Sequence, residues 1–279
     1  MATYVTSDAH GHLRALDRAL ELAQPSAEDT LYVLGDMIDR GPDPVGVIDL
    51  VRALPCARAI LGNHERMMLD ALAGTDELDA DTWVLNGGWT TAPGLDRVDR
   101  DKLDGLMDWL CELPLYDVVE TADRLFILVH AGIDALAARA YLASANVDCS
   151  HGEGAAAASR EQLCDMMSRQ DPMDLLWIRG EFWGSPTGFV GTDGTGPVVV
   201  AGHTPSISLR DYADVMGNPG TSSEGHGCVV PVGDTTRTGG VADRIDIDCS
   251  AAAAEAGGCV GVLRLDDGQT WYAPVRDGE

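Results

Sequence analysis

The chain has 279 residues, which suits one large α/β domain better than two full ones, and its 45% apolar content supports a sizeable core. Nineteen basic residues against 45 acidic ones give a net charge of −26, which argues against nucleic acid or an anionic membrane as a partner. Lys102 is the single lysine, so a bound phosphate must be held by arginine or metal; the acidity otherwise reads as an adaptation to solubility or high salt.

The first third alternates strand and helix. "TYVTS" is a short β-rich run, and "LRALDRALELA" sets Leu13, Leu16, Leu20 and Ala23 at helical spacing. "TLYVLG" leads into a helical "PVGVIDLVRAL", and "ARAILG" into "ERMMLDALAG". Three such units predict an α/β fold with a parallel sheet, whose ligands sit beyond the carboxyl ends of the strands. Residues 98–112 predict an amphipathic helix, and "LYDVVE" and "RLFILVHAG" two adjacent strands. Residues 133–175 are Ala-rich and helical at both ends, broken by the polar loop "DCSHGEG". "PVVVAGH" is a further buried strand. Residues 206–243, rich in Gly, Ser, Thr and Asp, read as a long loop or flap inserted in a single domain spanning 1–279, bordering the cleft and shaping access to it or lying on the surface. "RIDIDCS", "CVGVLRLDDG" and "TWYAPV" close the chain as strands, the last two as a hairpin.

The seven cysteines are odd in number, scattered, and form no C-x-x-C pair. That favours reduced thiols and a cytoplasmic location over a disulfide framework or zinc knuckle. "MATYVTSDAH" runs straight into the first strand, so no secretory leader is expected, and no apolar run has the length of a membrane span.

Polar clusters follow the apolar runs. The first unit ends in "SDAHG" (Asp8, His10), the second in "GDMIDRG" (Asp36, Asp39, Arg40), the third in "GNHE" (Asn63, His64). Later strands end in His130 and His203. All are expected at one edge of one sheet, with Asp8 and His10 on the same side of an extended segment. Carboxylate, imidazole and amide oxygen together suit hard or borderline divalent cations, and the reading is a dinuclear site. Asp36 bridges two ions, Asn63 supplies a neutral oxygen, and His130 and His203 complete the ligands of the second ion. Two ions about 3.5–4 Å apart polarise a phosphoryl oxygen and acidify a bridging water. Arg40 then grips the phosphate, His64 protonates the leaving oxygen, and Asp39 holds the His64 tautomer. Each motif alone has a plainer explanation: a helix start for Asp8, a capped turn for "GDMIDRGP", a core or loop site for each histidine. Order and placement together carry the metal reading. His12, His151 and His226 fall outside the pattern and read as surface or supporting groups. Cys149, His151 and Glu153 mark either a second metal site or a solvated loop.

The series "SDAHG … GDMIDRG … GNHE … VHAG … GHTP" resembles the metallophosphatase superfamily, in the branch of phosphoprotein phosphatases and their bacterial and lambda-phage-type relatives. "LLWIRGEF", with Arg179, resembles that branch's second phosphate-binding arginine, and "NGGWT" and the closing strands fit its bacterial members. The resemblance implies a four-layer α/β/β/α sandwich, with two divalent ions, manganese or else iron or zinc. It implies Asp8, His10 and Asp36 on the first ion and Asp36, Asn63, His130 and His203 on the second. It further implies His64 with Asp39 as the proton-donor pair, and Arg40, Arg179 and Asn63 on the phosphate.

Within the superfamily, many phosphodiesterases and nucleases end the last metal strand in Gly-His-x-His. Here it reads Gly202-His203-Thr204-Pro205. Symmetrical dinucleoside tetraphosphate hydrolases of this length tend to show Asn-His-Asp and a changed residue before the arginine of the second motif. The chain keeps Asp39-Arg40 and Asn63-His64-Glu65, which favours a serine/threonine phosphomonoesterase acting on a phosphorylated protein or small phosphoester. The tetraphosphate hydrolase and an inactive metal-dependent binding module are the alternatives.

Overall fold

The computed structural model describes residues 1–74, 76–149, 152–213 and 220–279. Strands β1 (Thr3–Thr6), β2 (Thr30–Val33) and β3 (Ala57–Ala59) lie parallel, linked by helices α1 (Leu13–Ala23) and α2 (Pro44–Ala53). β3 leads into α3 (Asn63–Ala73). A helical excursion follows: α4 (Glu77–Trp83), a turn at Val84–Gly88 kinked at Gly87, α5 (Ala92–Leu95) and α6 (Arg100–Cys111). Next come the antiparallel pair β4 (Tyr116–Glu120) and β5 (Leu125–Val129), then α7 (Ala135–Ser144), α8 (Arg160–Met167), α9 (Pro172–Trp177) and α10 (Gly180–Trp183). β6 (Val198–Ala201), β7 (Val230–Val232), β8 (Arg244–Asp246), β9 (Cys259–Arg264) and β10 (Thr270–Pro274) complete the chain.

The strands form two sheets, in the orders β10-β9-β1-β2-β3 and β4-β5-β6-β8-β7. Side chains alternate along each strand with a period of 2. Val5, Tyr32, Leu34, Phe126, Leu128, Val198 and Val200 therefore share the core between the sheets. Their neighbours Tyr4, Leu31 and Val33 face α1, α2 and α6, while Ile127, Val129, Val199 and Ala201 face α7, α8 and α9. Two sheets with helices on both outer faces are the four-layer sandwich expected. β5, β6 and β8 are parallel, as are β1, β2 and β3, so each sheet gathers its carboxyl ends at one edge. The hydrogen bonds Asp8 N–H to Gly35 O (3.1 Å) and Gly202 N–H to His130 O (2.8 Å) tie neighbouring loops within each edge. His130 Nδ1–H to Leu34 O (2.7 Å) ties the two edges together.

Two expectations need correction. The polar clusters do not share one sheet: Asp8, Asp36 and Asn63 follow strands of the first, His130 and His203 strands of the second. A sandwich brings the two edges together, which a reading of single strands does not anticipate. Nor is 206–243 loop throughout. Its residues Val230–Val232 are an edge strand antiparallel to β8, and a 3₁₀ turn spans Ser206–Asp211. Short strands among many Gly and Ser residues carry little periodicity to find. Residues 214–219 of that stretch, and His151, lie outside the described residues. All seven cysteines are free. Among the described residues, no helix is long and apolar enough to cross a membrane.

Candidate metal centre

The side chains converge because the backbone bends sharply after each strand. Asp8, His10, Asp36, Asp39, Arg40 and His203 all have positive φ, between 43° and 68°. A non-glycine residue there costs on the order of 1–3 kcal/mol, and such strain collects at functional sites. The Asp8–His10 pair is thus not extended, as the D-x-H spacing implied; a left-handed turn aims it. Asn63 and His64 open α3, whose first turn is fixed by Glu65. This fully buried carboxylate accepts from the N–H groups of Asp36 (2.9 Å), Met37 (2.7 Å) and Gly62 (3.1 Å). In the sequence, Glu65 serves only to choose between branches; at the third residue of α3 it is placed, as the glutamate of a capping box is, to reach back to the N-cap N–H, here of Gly62.

Around Asp36 lie two groups of donor atoms, those of His10, Asp36 and His64 and those of Asp36, His130 and His203, each within 4.8 Å of one another. His10 Nε2 is 3.6 Å from Asp36 Oδ2 and 4.0 Å from Asp8 Oδ1, while its Nδ1–H donates to Ile38 O at 3.0 Å. On the other side, His130 Nε2 is 3.4 Å from Asp36 Oδ1 and 2.8 Å from Asn63 Oδ1, and His203 Nδ1 is 2.9 Å from the same amide oxygen. Since His130 gives its Nδ1–H to Leu34 O, its Nε2 electron pair faces two oxygens. Burial holds the imidazoles neutral: it lowers His130 to about 3 and lowers His10 and His203 well below the usual histidine range, with neighbouring His64 and His130 adding to the effect. Burial also raises Asp8, with Asp248 next in effect, and raises Asp36, with Asp8 next. Asp8 Oδ1 is buried without a hydrogen-bond partner. Neutral imidazole electron pairs, crowded carboxylates and an unpartnered oxygen are a set that divalent cations satisfy. The residues present fit two ions: Asp8, His10 and Asp36 for one, Asp36, Asn63, His130 and His203 for the other.

His64 belongs geometrically to the first group, its Nε2 3.8 Å from Asp36 Oδ2. Its other contacts set it apart. Nδ1–H donates to Asp39 Oδ2 at 2.7 Å, and Nε2 accepts from Arg40 Nη2 at 3.0 Å. Burial lowers its pKa, while the Asp39 hydrogen bond pulls the other way. Arg179 reaches the same space, its Nη2 donating to His203 O at 3.2 Å. The residues assigned to the ions, the proton-donor pair and the phosphate are therefore brought together. His12 and His226 are not: His12 is buried against Glu279 O (2.8 Å) rather than exposed, and His226 sits half-buried in a turn. Among the described residues no donor group forms around Cys149 and Glu153. Trp83, Thr91 and the buried Asp246 and Asp248 also border the site, and no spacing rule pointed to them.

A sequence model of calcineurin-like phosphoesterases matches residues 1–226, and the chain belongs to that family. Among curated relatives, a symmetrical bis(5'-nucleosyl)-tetraphosphatase of Erwinia tasmaniensis is 35% identical over 135 residues, covering 48% of this chain and 45% of that protein. The one of Pectobacterium carotovorum is 36% identical over 137 residues, covering 48% and 44%. The match thus spans less than half the length of these relatives. Among solved structures, one provisionally described as a diadenosine tetraphosphatase aligns with 99% of this chain and 94% of its own, with a TM-score of 0.56 and 18% identity. A Saccharomyces cerevisiae protein serine/threonine phosphatase similar to human phosphatase PP5 aligns over 99% and 76%, with a TM-score of 0.55 and 17% identity. At these identities the structural likeness is one of fold.

Proposed function

We propose that the protein is a metal-dependent phosphomonoesterase acting on serine and threonine phosphoesters, with a phosphorylated protein or small phosphoester as substrate. The observation that carries this reading is the 2.7 Å contact between Asp39 and His64, with His64 Nε2 turned to Arg40 at the lip of the donor cluster. A serine alkoxide is a strong base and a poor leaving group, and needs a proton as it departs. A nucleoside diphosphate leaves as a weakly basic phosphate oxygen and needs none. A buried imidazole held by a carboxylate is therefore suited to alkyl esters.

In this reading Arg40 and Arg179 grip the phosphate oxygens, and Asn63 adds a polar contact. Two divalent cations, manganese in our proposal, would supply Lewis acidity for the phosphoryl oxygens and a more acidic water. Water attacks phosphorus directly. The ester P–O bond breaks, and the leaving oxygen takes its proton from Nε2 of His64 in the doubly protonated imidazolium form; the proton lost by the attacking water restores that form. The Asp39 hydrogen bond to Nδ1–H favours the imidazolium and keeps its Nε2 facing the substrate. The net charge of −26 disfavours nucleic acid as a substrate.

The names of the curated relatives favour a second reading, symmetrical hydrolysis of dinucleoside tetraphosphates. A panel with added manganese separates the two: phosphoserine and phosphothreonine peptides, an aryl phosphate, a bis-aryl phosphodiester and diadenosine tetraphosphate. The proposal expects the highest kcat/KM on monoesters. Preferential cleavage of the tetraphosphate would replace it with the second reading.

A further inference from the structure

One segment, residues 83–91, grips both Asp39 and Arg40. The Trp83 indole N–H faces both oxygens of the Asp39 carboxylate, at 3.1 Å each. The Thr91 hydroxyl donates to Asp39 Oδ1 (2.5 Å) and accepts from the Asp39 backbone N–H (3.0 Å). Arg40 meets the same segment: its backbone N–H donates to Gly87 O (3.4 Å) and its Nε to Asn86 O (3.5 Å). The helical run breaks in a kink at Gly87, and the chain on its two sides brings Trp83 and Thr91 to one carboxylate. Gly87 has φ +117°, and a Cβ there would meet Arg40 Cγ at 2.8 Å. A Cβ at Gly88 would meet the Trp83 ring at 2.6 Å. Asp39 and Thr91 are fully buried and Trp83 nearly so.

We propose that Trp83 and Thr91 are positioning residues for proton transfer by His64, and that what they contribute grows with the basicity of the leaving oxygen. The inference rests on the monoesterase reading above. With indole and hydroxyl in place, the Asp39 carboxylate cannot rotate about its last bond, and the oxygen facing His64 Nδ1 stays aligned. Without them the carboxylate is free to turn, and the imidazole loses the partner that fixes its orientation. An aryl ester, whose leaving oxygen is a weak base, tolerates that loss. A serine ester does not.

The test uses the full chain with manganese and the variants Trp83→Phe, Thr91→Val and Thr91→Ser. Phenylalanine keeps an aromatic ring against Gly88 without the donor, valine keeps the threonine shape, and serine restores the hydroxyl. kcat and KM are measured on a phosphoserine peptide and on aryl phosphates of rising leaving-group pKa, with bound metal and melting temperature as controls. General acid–base catalysis contributes roughly 10²–10⁴-fold, so disturbing its alignment should lower kcat on phosphoserine by about tenfold or more. The loss on nitrophenyl phosphate should be far smaller, KM should hardly move, and Thr91→Ser should recover most of the rate. Equal losses along the whole series, no loss on phosphoserine, or a serine variant no better than valine would overturn the positioning role alone. A parent protein that cleaves diadenosine tetraphosphate but no monoester would overturn the monoesterase reading and this inference with it. Thr91→Val against Thr91→Ser decides the matter even where Trp83→Phe fails to fold.

Discussion

Asn63 and His64 are neighbours at the start of one helix, yet they serve different clusters. Asn63 Oδ1 lies 2.8 Å from His130 Nε2, while His64 Nδ1 lies 2.7 Å from Asp39 Oδ2. Consecutive helical side chains point about 100° apart, so one helix start supplies a cation ligand and a proton carrier side by side. Glu65, the next residue, closes the turn beneath them.

Asp36 is the only residue common to both donor groups among those described. Asp36→Asn should weaken binding of both ions, by more than the roughly 10–100-fold that follows loss of an outer partner. Asn63→Ala should weaken one. Titration with manganese, read as bound equivalents, distinguishes them; identical titrations for the two variants would contradict the shared role of Asp36.

His64→Asn removes the proton carrier and leaves the assigned ligands in place. We expect kcat on a phosphoserine peptide to fall by about 10²–10⁴-fold with metal content maintained. A variant as active as the parent would show that another group protonates the leaving oxygen.

Gly62 packs where no side chain fits: a Cβ would sit 2.3 Å from both Asp36 N and Asp36 Oδ1. Gly62→Ala should destabilise the fold by about 1–3 kcal/mol, the usual cost of overpacking. It should also loosen the metal site, because the clash falls on the bridging carboxylate. Denaturant melts and a manganese titration check both effects, and parent-like values in both would refute the assignment.

Burial raises the Asp248 carboxyl to about 6 and raises Asp246 as well, where Asp248 adds to the shift. Between pH 4 and 6 these two carboxyls therefore hold protons in the native state that the unfolded chain has released, so their contribution to stability falls as pH rises through that window. Each pKa unit is worth about 1.4 kcal/mol. The buried neutral histidines act in the opposite sense, so the contribution is read as a difference between variant and parent. In metal-free protein, the stability of Asp248→Asn relative to the parent should be greater at pH 6.5 than at pH 4.5; a difference that does not change with pH would place the titrating group elsewhere.

Much of this was legible in the sequence because the informative residues sit at chain positions that strands and helices make recognisable. Leu13, Leu16 and Leu20 announce α1, and every polar cluster follows an apolar run. The hidden part is what depends on contacts distant in sequence. That His130 and His203 come from a second sheet follows from how the two sheets stack, and no single strand encodes it. The turn that aims Asp8 and His10 looks extended by spacing alone, since Asp and His carry no glycine-like mark of positive φ. Trp83 and Thr91 act across more than 40 residues, and the kinked turn that unites them has no periodic signature. β7, three residues long, hides among glycines and serines.

The central claim is that two loop-bearing sheet edges form one site for a pair of cations around Asp36. Anomalous diffraction from crystals grown with manganese tests it most directly. Two peaks are expected, both in contact with Asp36, one against Asp8 and His10 and the other against Asn63, His130 and His203. A single peak, or none, among these side chains would contradict it.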